Sequence, residues 1–145
     1  NTINCYNWII NICIDQHKTR QVYELYNEVL EYIDQLDETI LDYVEKEIGG
    51  LYNDYGLFLK SCGYKAEAKE YFLSAIEIFN NHVNSNPSKY EPSLAVFYFN
   101  YALCIIGFLQ APYLKKSYKL ALKYPTNPRC SEIISILEDY GLSDD

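Results

Sequence analysis

Five cysteines and two histidines are the side chains on which thiol, metal or proton-transfer chemistry would rest. Cys5, Cys13, Cys62, Cys104 and Cys130 are odd in number and widely spaced, and no two stand as Cys-x-x-Cys. Structural zinc takes its thiolates and imidazoles from close pairs, and His17 and His82 supply no local cluster. The cysteines therefore read as small apolar residues in a reducing compartment, engaged in neither disulfide nor metal site. Paired carboxylates are numerous, but they fall at the spacings of solvated helix faces without a converging His or Lys. Gly49-Gly50 lies inside a helical pattern, so no glycine-rich phosphate loop is present. His17 falls at a helix break, where a turn residue is expected rather than a base. No enzymatic activity, cofactor or metal is expected.

Two charge clusters stand out. Lys115, Lys116, Lys119 and Lys123 recur on one side of a helical stretch, and Glu31, Asp34, Asp37, Glu38, Asp42, Glu45 and Glu47 crowd an earlier segment. The first reads as a solvated outer face. Opposite charges at opposite ends also favour head-to-tail association, weakened by screening over about 10 Å. The net charge of −8 argues against nucleic acid, whose binding needs a dense cationic surface. The most apolar run, Tyr101 to Leu109, is far short of the roughly 20 residues that span a bilayer. A cytoplasmic chain without a membrane segment is expected. Its start at Asn-Thr-Ile-Asn, without Met, suggests a piece of a longer protein.

The elements that position these side chains follow from an internal repeat. Shifted against itself by 46 residues, the sequence aligns Tyr6, Tyr52 and Tyr98; Cys13, Leu59 and Ile105; Val22, Ala68 and Leu114. Tyr26, Phe72 and Tyr118 also coincide, as do Val29, Ala75 and Ala121, and Leu30, Ile76 and Leu122. Each unit is two amphipathic helices. In the middle one, Ile48, Leu51, Tyr52, Tyr55 and Leu59 recur at helical steps, Ser61-Cys62-Gly63 breaks the helix, and Ala68, Phe72, Ala75, Ile76 and Phe79 resume it. Pro92 and Pro112 are read as the first turns of two later helices, and Asn127-Pro128 opens a last one. The expected fold is all-α, with helices near 3–16, 19–35, 39–61, 65–83, 92–108, 111–124 and 128–139. Gly56 and Ala68 act as holes and Tyr52 and Phe72 as knobs, a packing code that lets two helices approach closely. The last helix sets Cys130, Ile133, Ile134 and Leu137 against a polar face, as a cap would. The first is apolar nearly all round, so it expects cover, for instance by self-association.

The middle unit, with Tyr52, Tyr55-Gly56, Leu59, Gly63, Ala68, Phe72 and Ala75, resembles the tetratricopeptide repeat family. The third shows Tyr98, Tyr101-Ala102, Ile105, Tyr118 and Ala121, with Leu109 and Leu114 where Gly and Ala belong. The first, with Tyr6, Cys13, His17, Val22, Tyr26 and Val29, rests mostly on the period. That period exceeds the usual repeat of about 34 residues and is similar to the longer, kinesin-light-chain-like branch. The resemblance implies a right-handed superhelical stack of three antiparallel hairpins (about 3–37, 39–83 and 91–125) plus a capping helix (about 128–139), all one domain over 1–145.

It also implies a non-enzymatic module that binds a protein or peptide in its concave groove. The groove positions carried over are Asn7, Asn11 and Ile14, then Asn53, Leu57 and Lys60, then Phe99, Leu103 and Ile106. Amides in the first unit would pair with a peptide backbone, and Phe99 and Leu103 would hold an apolar anchor. A clamp for a terminal carboxylate is not expected, as Lys60 stands alone among these positions. The alternative is a ligand-sensing or regulatory repeat segment of a larger signalling protein.

Overall fold

The computed structural model describes residues 1–144, and no strand occurs among them. The helices are α1 (Thr2–Asp15), α2 (Thr19–Asp34), α3 (Glu38–Ser61), α4 (Lys65–His82), α5 (Pro87–Ala102), α6 (Gln110–Leu122) and α7 (Pro128–Asp139). A single 3₁₀ turn, Gly107–Leu109, precedes α6. Contacts divide the chain into two compact units, the second beginning at Tyr52, inside α3.

In the first unit α1 packs on α2. The α2 side chains Val22, Tyr26, Val29 and Ile33 are all buried. Their spacing of three and four residues puts them on one face. Ile3, Ile10 and Cys13 of α1 and Ile48 and Leu51 of α3 are buried as well. Asn1 caps α1 by accepting from the Asn4 N–H at 3.0 Å. Asp37 does the same for α3, accepting from the Ile40 N–H at 3.1 Å and from the Thr39 hydroxyl at 2.6 Å. The Thr39 bond, then the Ile40 bond, holds the Asp37 carboxyl below its ordinary range.

In the second unit α5 is the central element. Tyr90, Leu94 through Tyr98 and Asn100 through Ala102 are all buried, and α4, α6 and α7 each pack on this helix. The Ser117 hydroxyl donates to the Ala95 carbonyl at 2.6 Å, which requires α5 and α6 to approach closely there. The rings of Phe79 and Phe97 (4.8 Å between centroids) join α4 to α5, and those of Tyr101 and Tyr113 (4.8 Å) join α5 to α6. Glu91 accepts from Lys123 Nζ at 3.0 Å and from the Tyr124 hydroxyl at 2.8 Å, fastening the start of α5 to the end of α6. Partial burial pushes the Glu91 carboxyl up, but these two donors outweigh it and its pKa lies below the usual value. On α7, Cys130, Ile133 and Leu137 are buried while Arg129, Ser131, Glu132, Ser135 and Glu138 face water.

Two of the six columns aligned by the repeat are buried throughout: Tyr26, Phe72 and Tyr118, and Val29, Ala75 and Ala121. Hole and knob meet between α3 and α4: a Cβ built on Gly56 would lie 2.6 Å from the Phe72 ring. Beside that contact, Tyr55 and Tyr71 meet edge to face with centroids 4.7 Å apart.

Helix ends repeat too. After α3, Gly63 turns left-handed (φ +91°), its N–H donates to the Lys60 carbonyl and the Tyr64 N–H to that of Leu59. This is the Schellman arrangement, which satisfies carbonyls left open at a helix end. Gly141 closes α7 in the same way. After α1 the same bonds form around His17, the only non-glycine residue with positive φ (56°) among those described. That confirms it as a turn residue. Because a Cβ is strained in this region, His17→Gly is expected to raise stability by about 0.5–1 kcal/mol and Gly63→Ala to lower it by a similar amount. Urea denaturation of the two variants tests this, and a His17→Gly chain no more stable than the parent would contradict it.

Six of the seven helices lie within two residues of their expected bounds, and α5 does not. It was expected over 92–108 but runs Pro87–Ala102, with Pro87 in its first turn and Pro92 in its interior. Asn86-Pro87 gives the same start signal as Asn127-Pro128, five residues ahead of Pro92. Pro92 removes only the bond to the Ser88 carbonyl, which lies in the exposed first turn where water can replace it. The helix ends early because the Gln110 side-chain amide donates to the Ala102 carbonyl at 2.9 Å and Gly107 turns left-handed (φ +76°). Leu103 and Ile106 consequently lie beyond the helix that was to carry them.

Candidate protein-interaction surface

The expected groove positions fall in both units, and their environments differ. In the first unit Asn7 is half-buried, and Asn11 and Ile14 are exposed. They share α1 with Trp8, which is 69% exposed, and with the exposed Ile9 and Ile12. The described chain thus leaves an apolar row on α1 open.

In the second unit α3 and α5 are linked by a pair of amides. Asn53 is 1% exposed and its Oδ1 accepts from Asn100 Nδ2 at 2.9 Å. The expectation that Asn53 faces a groove does not match this position: its amide is enclosed and bonded to a neighbouring helix. The reason is physical, since a buried amide needs partners and Asn100 supplies one. Asp54 beside it is half-buried. Burial pushes its carboxyl up, opposed by the charge of Arg129 and by a bond from Asn53.

One helical turn past Asn53, Leu57 is 39% exposed, and past Asn100, Leu103 is 38% exposed. Phe99 and Lys60 are half-buried. The charge of Lys60 reaches the Cys104 thiol, two residues past the end of α5. Lys65 and Lys69, from the first turns of α4, act on the same thiol. Burial outweighs all three lysines and holds that thiol above its ordinary range. Lys60 therefore has company that its own helix does not reveal. The signal was present: Lys65 and Lys69 stand four residues apart directly after the Gly63 break. Further along, Lys116 lies over the rings of Tyr98 and Tyr113 at 5.5 and 5.4 Å, while Lys115, Lys119 and Lys123 are exposed.

The surface joins partly exposed apolar side chains to cations, a combination that suits an amphipathic segment carrying carboxylates. Among the described residues no group of three or more His, Cys, Asp or Glu could hold a metal ion. No described helix is long and apolar enough to cross a membrane. No family model matches the chain, and no curated protein matches it.

Proposed function

We propose that this chain is a non-enzymatic interaction module of the tetratricopeptide kind, cytoplasmic, in which three helix hairpins stack as a right-handed superhelix closed by α7. On this reading the first helices of the hairpins line a groove that takes a peptide or a partner helix. The observation that carries the reading is the Asn53–Asn100 hydrogen bond between α3 and α5, with Leu57 and Leu103 partly open one turn further along each chain segment. Leu57 on α3 and Leu103 at the end of α5, with the charges of Lys60, Lys65 and Lys69 nearby, can hold an apolar anchor flanked by acidic residues. Asn7 and Asn11, on α1 of the first unit, would offer backbone-pairing amides to a peptide. Asn53 supports the groove from beneath and does not touch the partner.

The test begins with recovery of the partner by pull-down from native lysate, followed by direct titration. Leu57→Ser combined with Leu103→Ser should weaken binding about tenfold or more while circular dichroism stays unchanged. Undiminished affinity in that double variant would move the site elsewhere.

A further inference from the structure

Charge is divided unevenly along this chain. Residues 1–51 carry ten carboxylates against three cationic side chains, whereas residues 55–123 carry eight lysines against four carboxylates. The net −8 thus conceals a basic stretch set between an acidic first segment and an acidic C-terminal one, where residues 124–145 carry five carboxylates against one arginine.

Each segment also exposes apolar side chains left out of its own core. On α3, Ile40, Tyr43 and Glu47 follow one another at three- and four-residue steps, which puts them on one face. Tyr43 is 90% exposed and Ile40 is exposed as well, as are the nearby Asp34, Glu38 and Asp42. In the basic segment, the loop after α5 presents Ile106 and Phe108, each 89% exposed, with Leu109 open beside them. The loop is held at both ends. It leaves α5 at Ala102, whose carbonyl is bound by Gln110, and it turns at Gly107 directly into α6. The charges of Lys60, Lys65 and Lys69 reach the Cys104 thiol at its start, and the exposed Lys115 follows on α6.

We infer that the protein associates head to tail, with the lysine-flanked loop 104–109 of one copy packed on the acidic, tyrosine-bearing first half of α3 in the next. Charge complementarity selects the occupant. The chain carries, at equal concentration, an acidic helix with an aromatic anchor that matches a basic loop with an aromatic anchor. Buried aromatic anchors supply the stability of such contacts, and rim charges supply orientation and encounter rate. The two surfaces are different, so each copy offers one of each to its neighbours. The contact shares Ile106 and the lysines Lys60, Lys65 and Lys69 with the peptide-binding reading, whereas Phe108 and the α3 residues Glu38, Asp42 and Tyr43 belong to this contact alone and separate the two.

Sedimentation velocity of the full chain across a concentration series, at about 0.02 M and about 0.5 M salt, tests this on either side of effective screening. The sedimentation coefficient should climb with concentration at low salt and climb much less at high salt. Phe108→Ser should abolish the climb. One variant combines Lys60→Glu, Lys65→Glu and Lys69→Glu, and a second combines Glu38→Lys and Asp42→Lys. Each alone should weaken association about tenfold or more, and an equimolar mixture of the two should restore it. Circular dichroism confirms that each variant is folded. A wild-type chain that stays monomeric, a mixture that does not associate, or association lost on Trp8→Ser but kept on Phe108→Ser would each overturn the proposal.

Discussion

Replacing Gly56 by leucine is expected to destabilise the protein by about 3 kcal/mol or more, near the upper end for overpacking a core. A Cβ at this position would meet three atoms of the Phe72 ring at 2.6 to 2.9 Å. Phe72 has no exposed surface, so its ring has nowhere to swing. Helix propensity works the other way, favouring a larger residue over glycine by about 1 kcal/mol in a helix interior. The expected loss is what remains after that gain, so the sign of the measured change decides whether close approach or propensity governs. Urea denaturation supplies the number, and Phe72→Leu added to Gly56→Leu should recover part of it by making room. A Gly56→Leu chain as stable as the parent would mean that the two helices separate at little cost.

The second large effect is expected from Asn53→Asp. In the native chain the Asn53 carbonyl accepts from Asn100 and its amide group supports the neighbouring Asp54 carboxylate. The substitution removes that donor and sets a second carboxylate beside the first in a buried position. Stranding a charged group without its partner costs about 3 kcal/mol or more. Burial and the Asp54 charge both raise the pKa of the introduced carboxyl in the folded state. A group whose folded pKa is raised binds more protons folded than unfolded, so stability falls as pH rises through the interval between the two values. The deficit should therefore be largest at neutral pH and shrink as pH falls towards the ordinary carboxylate pKa of about 4. Denaturation at pH 7 and pH 4.5 measures both arms. A deficit independent of pH would place the cost in the lost hydrogen bond and not in charge.

Much of this was legible in the residues because it is local or periodic. Val22, Tyr26, Val29 and Ile33 announce a buried face through their spacing alone, and the 46-residue period locates the equivalent faces elsewhere. Gly56 declares a close contact because a glycine inside a strong helical pattern needs a reason. Asn53 was misplaced for the opposite cause. Its partner Asn100 is 47 residues away, and no pattern within one helix tells a solvated amide from a buried one with a distant mate. The bounds of α5 failed because Asn86-Pro87 and Glu91-Pro92 are competing start signals, and only tertiary packing of Tyr90 and Glu91 selects the earlier. Lys65 and Lys69 were missed as neighbours of Lys60 because a helix break separates them along the chain.

The chain's one tryptophan, Trp8, stands mostly in water on α1. Its fluorescence is therefore already close to that of a hydrated indole in the native state. Melting the helices changes that environment little, so tryptophan emission is a poor gauge of folding here. The same exposure makes it a background-free optical reporter of anything that settles on α1, because only the arrival of an apolar neighbour would shift the emission to the blue. Folding is better followed in the far ultraviolet, which leaves the indole band free to record binding in the same sample.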